Sequence, residues 1–223
     1  MQDQDATRFV DLSHAVEHGM ITYRGLPAPV ISDHLSRAAS RANYAPGTEF
    51  HIGKIEMVAN TGTYLDSPSH RYEDGADLSQ LPLGSLADLD AVVVGAGEGR
   101  SVGPQKFENV GVAGRAVLVR TGWAAHWGSE RYFDGHPFLT KEAAQFLADA
   151  GARLVGIDSY NIDDTADASR PAHSVLLRAG IPIVEHLCNL DALPDSGFKF
   201  FAVPVKVKGM GTFPVRAFGL LKQ

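Results

Sequence analysis

A carboxylate and an imidazole lie four positions apart in the segment NTGTYLDSPSH, which runs from Asn60 to His70. The two side chains belong to Asp66 and His70, and the Ser67-Pro68 pair between them prevents a helix or a central strand from continuing. The spacing therefore predicts that both side chains lie on a sharp turn. Each residue also has a purely structural interpretation, because Asp before Ser-Pro is a good turn former and a histidine can occupy such a turn without a chemical role.

A second polar pair lies about a hundred residues downstream, where His173 begins a helical segment and Glu185 lies near the end of a strand-like run from Ile181. An acid in an apolar strand costs free energy unless it is paired or bound to a metal. The alternatives are a strand-end carboxylate that reaches solvent and a partly exposed histidine at a helix start. Asp, His and Glu are together the ligands of catalytic zinc or manganese sites, although no spacing rule links residues this far apart.

Other catalytic motifs are absent from the sequence, which has no G-x-S-x-G elbow, H-E-x-x-H helix or P-loop. The glycines between Gly95 and Arg100 do not have the dinucleotide-binding spacing, and they predict a turn. Cys188 lies two residues from His186 without nucleophile geometry, so a core cysteine is expected. A solvated face is the expectation for four aspartates that share one loop and have no EF-hand spacing: Asp158, Asp163, Asp164 and Asp167.

The composition is that of an ordinary globular protein, and 223 residues without a shift in composition predict one domain, 1–223, with a substantial core. The net charge of -6 and the scattered Lys and Arg residues make nucleic acid and membranes unexpected partners. The lone cysteine excludes an intrachain disulfide. The N-terminal residues lack the charge and apolar region of a signal peptide, and no long apolar run occurs, so we expect a cytoplasmic protein.

Short apolar runs with strand character alternate with helical patterns, which predicts an α/β fold with helices packed on a mixed sheet. The expected strands are Ala91 to Val94, Ala116 to Arg120, Leu154 to Asp158, Ile181 to Leu187 and Phe198 to Val207. A further strand, Phe50 to Val58, is expected to feed directly into the turn at Asn60.

Two helices and one loop have recognisable ends. Thr140 to Ala150 predicts a helix with Thr140 as its N-cap and Gly151 just after its C-terminus. Ala172 to Ala179 predicts a second helix, which Gly180 stops. The segment from Met20 to Pro29 is rich in Gly and Pro, and it predicts an ordered surface loop of the kind that often borders a site.

The segment from Asn60 to His70 resembles the signature H-x-G-T-H-x-D-x-P-x-H of the cyclase family, which includes bacterial kynurenine formamidase and isatin hydrolase. The loop Tyr23-Arg-Gly-Leu-Pro27 is similar to the family's Tyr-Pro-Gly-x-Pro loop. Further similar blocks follow in family order, and they begin at Asp74, Gly156, His173, Ile183, Pro204 and Pro214. The resemblance runs from about Val10 to Gly219, which is nearly the whole chain.

This resemblance implies the family's swivelling β/β/α architecture and a homodimer or homotetramer, with the loop around Tyr23 near a neighbouring subunit's pocket. It also implies hydrolysis of an amide, lactam or similar carbonyl compound by metal-bound water. By the same resemblance, Asp66 is a metal-bridging or single-metal carboxylate, His173 and Glu185 are further metal ligands, and His70 is the acid/base group.

The sequence departs from the family signature at two positions, because Asn60 and Tyr64 stand where the signature has histidines. An amide oxygen is a weak zinc ligand, and a phenol must first lose a proton with a pKa of about 10. The first metal position is therefore expected to be empty or weak. Three alternatives remain open: one metal on Asp66, His173 and Glu185; Tyr64 as a phenolate ligand; or no metal, with His70 and Tyr64 as acid and donor.

The resulting functional hypothesis is a metal-dependent hydrolase of a small cyclic or N-acyl compound that uses one divalent zinc or manganese ion. The alternative is a metal-free lyase, isomerase or ligand-binding protein. Tyr23 and Asn60 are the expected substrate contacts, and Tyr64 joins His70 as a catalytic candidate. Four aromatic residues predict either part of a substrate pocket or simple packing: Trp123, His126, Trp127 and Phe133.

Overall fold

The structure is a computed structural model that describes residues 8–221. The strands are β1 (Arg8–Asp11), β2 (Val30–Leu35), β3 (Ile52–Glu56), β4 (Tyr64–Asp66), β5 (Leu89–Gly95), β6 (Ser101–Val102), β7 (Ala116–Arg120), β8 (Phe138–Leu139), β9 (Leu154–Ile157), β10 (Ile183–Glu185), β11 (Ser196–Phe201), β12 (Thr212–Pro214) and β13 (Phe218–Leu221). The α-helices are α1 (Arg37–Ser40), α2 (Lys141–Asp149) and α3 (Pro171–Arg178).

Nine of these strands form one mixed sheet in the order β1-β13-β11-β5-β7-β9-β10-β4-β12. Its centre, from β5 to β10, is parallel. The strands on either side of this centre pair antiparallel. Two small separate sheets contain β2 with β3 and β6 with β8. A large mixed sheet with few helices confirms the predicted α/β fold class.

Both faces of the central strands are buried, which explains why their sequences are continuous apolar runs. Successive side chains of a strand point to opposite faces. In β7, Val117 and Val119 belong to the core that also contains buried residues of α2 and α3, whereas Ala116 and Leu118 belong to the core on the other face. Neither face of these central strands is therefore available to hold a polar site, which must lie at the strand ends or on the strands toward the edge of the sheet.

The two longer helices begin and end within one residue of the predicted positions. The Thr140 hydroxyl accepts a hydrogen bond from the amide of Ala143 at the start of α2, and Gly151, with a φ of 77°, follows its C-cap. Pro171 occupies the first turn of α3, and Gly180 follows its end with a φ of 74°. Gly at these positions adopts the left-handed conformation without a steric penalty.

Several predicted strand limits were wrong. The strand expected to run to Val207 ends at Phe201, and the one expected from Ile181 to Leu187 is limited to Ile183–Glu185. The segment expected from Phe50 to Val58 forms β3, but it pairs only with β2, and irregular residues 57–63 separate it from β4. Apolar composition suggested strand continuity in each case, but Pro204 has no amide proton for a ladder, and β3 lies outside the main sheet.

No α-helix within residues 8–221 has the length and hydropathy needed to cross a bilayer.

Candidate active site

Strand β4 lies between β10 and β12, and its register decides which side chains meet. Tyr64 is opposite Glu185 of β10, and Asp66 is opposite Thr212 of β12. Tyr64 and Asp66 point to the same face because side chains alternate along a strand. A strand of three residues therefore brings together groups from three distant parts of the chain.

The Tyr64 and Glu185 side chains form a buried hydrogen-bonded pair. The Tyr64 hydroxyl donates to Oε2 of Glu185 at 2.5 Å, and the amide of Ile162 donates to Oε1 at 2.6 Å. Burial, together with the charges of Glu185 and Asp66, raises the pKa of Tyr64 well above its ordinary value. The hydroxyl stays protonated and donates a hydrogen bond to Glu185. This geometry therefore argues against Tyr64 as a phenolate ligand.

Asp66 is fully buried, and its two oxygens have different environments. Oδ1 accepts the Thr212 hydroxyl at 2.6 Å, and Thr212 Oγ1 lies 2.8 Å from Nδ1 of His70. Since the hydroxyl has one proton and donates it to the hydrogen bond with Asp66, Nδ1 of His70 is the donor to Thr212, and in the neutral imidazole Nε2 is then the ring acceptor. Oδ2 of Asp66 is buried without a hydrogen-bond partner among residues 8–221.

His173 is held by the buried carboxylate of Asp163. Oδ2 of Asp163 lies 2.7 Å from Nδ1 of His173, and the carboxylate also accepts the amides of Ala172 and His173 in the first turn of α3. The ring therefore directs Nε2 toward Oδ2 of Asp66, at 3.6 Å, and toward Oε1 of Glu185, at 3.8 Å. The predicted solvated aspartate face was wrong for Asp163 and for Asp158, since both are buried.

The buried charges of the site balance one another. Burial alone would lower the pKa of His173, but the carboxylates of Glu185, Asp163 and Asp66 raise the pKa to about 10. Burial acts to raise the pKa of Asp66, yet His70 and His173 hold it below its ordinary value. Burial raises the pKa of Glu185 to about 7, although His173 opposes the shift. The pocket is therefore set up to accommodate positive charge beside Asp66.

The residues present fit a divalent metal ion. Ligand atoms of Asp66, His70 and His173 lie within 4.8 Å of one another, and Asp66 offers its unpartnered Oδ2. Mixed nitrogen and carboxylate donors are suited to zinc or manganese, and a carboxylate behind the histidine, here Asp163, is the usual way to orient such a ligand. Glu185 is outside this group of three, and both of its oxygens already accept hydrogen bonds.

A cavity of about 270 Å³ borders these groups, although the buried Asp66 is not part of its lining. The predicted site residues in its lining are Tyr23, Asn60, Tyr64, His70, His173 and Glu185. The lining residues that the sequence analysis missed are Leu26, Arg71, Asn161 and Arg170. It also missed Asp163 and Thr212, whose roles depend on long-range packing.

The segment from Met20 to Pro29 borders a cavity as expected of such a loop, but the cavity is that of its own chain, whereas the resemblance implied a neighbouring subunit's pocket: Tyr23 belongs to the lining and stacks on Tyr160 with 4.7 Å between ring centroids. Of the two interpretations of the predicted aromatic group, packing applies to Trp127, which stacks on His14 at 3.8 Å. None of the four aromatic side chains lines the cavity above Asp66.

Comparisons with known proteins identify the family and the fold. A model of the Cyclase family, described as "Putative cyclase", matches residues 10–164. Kynurenine formamidase from Bacillus cytotoxicus is 28% identical over 213 residues, which cover 95% of this chain and 97% of that protein. Among solved structures, isatin hydrolase A from Labrenzia aggregata bound to benzyl benzoate has a TM-score of 0.82 at 24% identity and covers 98% of this chain and 95% of its own.

A second solved structure, described as a potential metal-dependent hydrolase with cyclase activity, has a TM-score of 0.80 at 24% identity and covers 98% of this chain and 100% of its own. At this level of identity the structural similarity establishes the shared fold, as the swivelling β/β/α prediction requires. The family model covers more than half of the sequence, and the chain therefore belongs to the Cyclase family.

Proposed function

We propose that the protein is a metal-dependent hydrolase of a small cyclic or N-acyl carbonyl compound, such as an amide, lactam, formamide or lactone. The observation that carries the proposal is the buried, unpartnered Oδ2 of Asp66, toward which Nε2 of His173 points. The names of the relatives, a kynurenine formamidase and an isatin hydrolase, support hydrolysis of a carbon–nitrogen bond.

In the proposed site, Asp66, His173 and Glu185 bind one zinc or manganese ion, because each Glu185 oxygen keeps a second lone pair beside the hydrogen bond that it accepts, and its Oε1 lies 3.8 Å from Nε2 of His173. Nδ1 of His173 is engaged by Asp163, so the ion would bind Nε2 and displace the proton that the raised pKa keeps there, and Tyr64 orients Glu185 through its hydroxyl. When bound, the ion supplies Lewis acidity that polarises a carbonyl and lowers the pKa of a water molecule. We propose that Asn60 and Tyr64 replace the two signature histidines and so limit the site to one ion.

His70 is the proposed acid/base group. Its side chain is 36% exposed, whereas Asp66 is fully buried, so His70 has access to both the cavity and the carboxylate. The bond from Nδ1 to Thr212 leaves Nε2 ready to take a proton from the attacking water and to return it to the leaving nitrogen. Tyr23 and Asn60 line the same cavity and are the proposed substrate contacts.

Metal analysis of protein purified without chelator is the direct test. We expect about one equivalent of zinc or manganese, and its loss in Asp66→Ala, as for a site with three protein ligands. The His70→Ala variant should keep the ion but lose hydrolysis of formanilide and lactam substrates. If His70→Ala loses the ion and Glu185→Gln keeps it, His70 is the metal ligand and Glu185 is the acid/base group. Less than about 0.1 equivalent after supplementation would overturn the metal-dependent proposal.

A double variant tests the proposed substitution of the signature. If Asn60 and Tyr64 stand at positions that retain the geometry of the family's first metal site, Asn60→His with Tyr64→His should raise the metal content above that of the wild type. The single variant Asn60→Gln is the control, because it adds no nitrogen ligand. An unchanged content in the double variant would show that the backbone does not hold that geometry.

A metal-free lyase, isomerase or ligand-binding protein is the second candidate. It is favoured by one observation, the raised pKa of His173, since a cationic imidazole itself balances the carboxylates of Asp66 and Glu185. This candidate predicts that zinc and manganese leave the melting temperature unchanged. A rise for the wild type that is absent from Asp66→Ala would refute it, because a ligand that binds only the native state must stabilise that state.

We also propose a homodimer or homotetramer. Four apolar side chains of the β2 and β3 pair are 43–48% exposed, namely Val30, Ile31, Ile52 and Ile55, and exposed apolar patches commonly mark an interface. Light scattering at micromolar concentration tests the assembly, and a monomer there would contradict it.

A further inference from the structure

The loop that lines one side of the cavity contains a tight turn with Arg24 at its second position. The amide of Leu26 donates to the carbonyl oxygen of Tyr23 at 3.1 Å, and Gly25, the third residue of the turn, has a φ of 89°. Such a turn brings its first and fourth residues close together, and here both of them, Tyr23 and Leu26, line the cavity. The position of this turn therefore decides where one wall of the cavity stands.

The turn has little local structure to hold it in place. Residues 21–29 belong to no helix or strand, and Arg24 and Gly25 are exposed. The base of the loop is closed by a hydrogen bond from the amide of Gly19 to the carbonyl oxygen of Pro29, at 2.9 Å. A loop with few buried groups opens locally at a low cost in free energy. Its position therefore depends on contacts with other parts of the fold.

Arg24 makes such contacts with the segment 130–134. Nη1 and Nη2 lie 3.0 and 3.1 Å from the two carboxylate oxygens of Asp134, and Nη2 also lies 3.3 Å from Oε2 of Glu130. The guanidinium carbon is 5.2 Å from the centroid of the Phe133 ring. A bidentate pair that is joined to a second acid and to an aromatic face holds a loop better than a single exposed ion pair does.

The segment 130–134 is itself tied to the core and to the turn. Its Tyr132 is buried, and the edge of Phe133 packs on Tyr160 with 5.4 Å between ring centroids. Tyr160 is the ring on which Tyr23 stacks, and its hydroxyl accepts the amide of Arg24 at 3.2 Å. The contacts of Arg24 therefore join the turn and the aromatic rings beneath it into one packed unit.

These contacts belong to this chain, since the similar family loop Tyr-Pro-Gly-x-Pro has proline at position 24. Proline has no amide proton and no charge, so it can form neither the bond to Tyr160 nor the ion pairs with the segment 130–134. A proline stiffens a turn through its own ring. In this chain, side-chain contacts with a distant segment take over that task.

We propose that Arg24 is a positioning residue, which fastens the turn from Tyr23 to Leu26 to the segment 130–134 and so fixes the cavity wall against which the substrate packs. For its kinetic readout the proposal rests on the hydrolase function above. Arg24 is not part of the cavity lining, so it acts on the binding of the substrate and leaves the chemical step to the groups at the floor. Because the charges that fasten the turn are exposed, salt weakens the binding even of an uncharged substrate.

Hydrogen exchange tests the position of the turn without a substrate. Arg24→Gln should speed the exchange of amides in residues 20–29 by about fivefold, because it removes the ion pairs that oppose local opening. A rise from about 0.05 to about 1 M NaCl should do the same for the wild type but not for Arg24→Gln, since the screening length falls to about 3 Å. The double variant Arg24→Asp with Asp134→Arg should restore part of the protection.

Arg178→Gln is the matched control. Arg178 is also paired with an aspartate, Asp74, and it also lies over an aromatic ring, that of Tyr72, but it does not line this cavity. We expect Arg178→Gln to leave the exchange of residues 20–29 unchanged. A general loss of stability in Arg24→Gln would instead speed exchange throughout the protein, and that result would overturn the proposal.

Formanilide, which is uncharged and has a single ring, gives the functional readout. Arg24→Gln should raise the KM for formanilide about fivefold at low salt and keep kcat within about twofold, as expected for a contribution to binding alone. The KM of the wild type should rise with salt, whereas that of Arg24→Gln should not. The affinity for acetophenone, a ketone that cannot be hydrolysed, should fall by a similar factor in an NMR titration.

The proposal is overturned if exchange in residues 20–29 of Arg24→Gln matches that of the wild type. It is also overturned if exchange accelerates while the KM and the acetophenone affinity stay unchanged, or if only kcat falls, since Arg24 would then act on the chemical step. If the wild type hydrolyses no formanilide while the exchange and acetophenone results are as expected, the hydrolase function fails for this substrate and the positioning role of Arg24 stands.

Discussion

The role of Asp163 leads to a quantitative prediction for the Asp163→Asn variant. The carboxylate accepts three hydrogen bonds, from the Ala172 amide at 2.5 Å, the His173 amide at 3.0 Å and Nδ1 of His173 at 2.7 Å. An asparagine keeps one acceptor oxygen, which can continue to cap the helix, but its amide nitrogen is a donor. The variant therefore loses both hydrogen bonds to His173, or its amide nitrogen donates to Nδ1 of the ring in place of the carboxylate that accepted from it.

The expected loss follows from those contacts. Hydrogen bonds to a buried charged group contribute about 1.5–3 kcal/mol each, and removal of a buried charge returns part of this, so the free energy of unfolding should fall by about 2–4 kcal/mol. If the asparagine donates to Nδ1 of His173, the proton moves to Nε2, the atom that faces Asp66. Zinc affinity should then fall by about 10–100-fold.

Urea denaturation gives the stability, and competition with a chromophoric chelator gives the zinc affinity of the folded protein. Asp167→Asn is the control, because this exposed carboxylate of the same loop accepts only from Ser169. We expect it to leave both quantities unchanged. Zinc affinity within about threefold of the wild type in Asp163→Asn would refute the argument that Asp163 orients His173.

Two other predictions concern stability. Burial lowers the pKa of His14 to about 4, so the neutral ring's contribution to stability is complete above pH 6.5 and is lost as the pH falls toward 4. His14→Gln should therefore reduce the decline of the unfolding free energy between pH 7 and pH 5 by about 1 kcal/mol. An unchanged slope would contradict this. A Cβ at Gly211 would lie 2.5 Å from the His70 amide nitrogen, so Gly211→Ala should cost about 1–3 kcal/mol in urea denaturation, whereas Gly84→Ala, with open space, should not.

The sequence predicted the centre of the sheet and the two longer helices because these elements carry strong local signals. The run Ala116–Arg120 is apolar enough to be buried on both faces, and Thr140 and Gly151 mark the two ends of a helix. Strand β4 gives no such signal, since a strand of three residues is too short to show a periodicity. Only its tertiary partners, β10 and β12, define it as a strand.

The candidate site was predictable in its residue types and only partly in its geometry. Glu185 is identifiable as an acid in an apolar strand, whereas Asp66 and His173 are identified by the company of other acids and histidines and by the family resemblance; the structure brings all three together. Asp163 was misread because its neighbours in sequence are polar, whereas its burial comes from α3 packing over it. Thr212 has no distinguishing local pattern, and its contact with Asp66 follows from the β4 and β12 register.

The sequence separation between β4 and its partner strands also affects the order in which the nascent chain can fold. Its partners are separated from it by long stretches of chain, since Tyr64 bonds a residue 121 positions later and Asp66 bonds one 146 positions later. During synthesis the segment that contains Asp66 and His70 leaves the ribosome long before Thr212 is made. Until then the backbone amides and carbonyls of β4 lack the hydrogen-bond partners that β12 provides. Closing such long loops is slow. The catalytic floor should therefore be among the last parts of the nascent chain to fold, and chains that stop before residue 212 should expose β4 to aggregation.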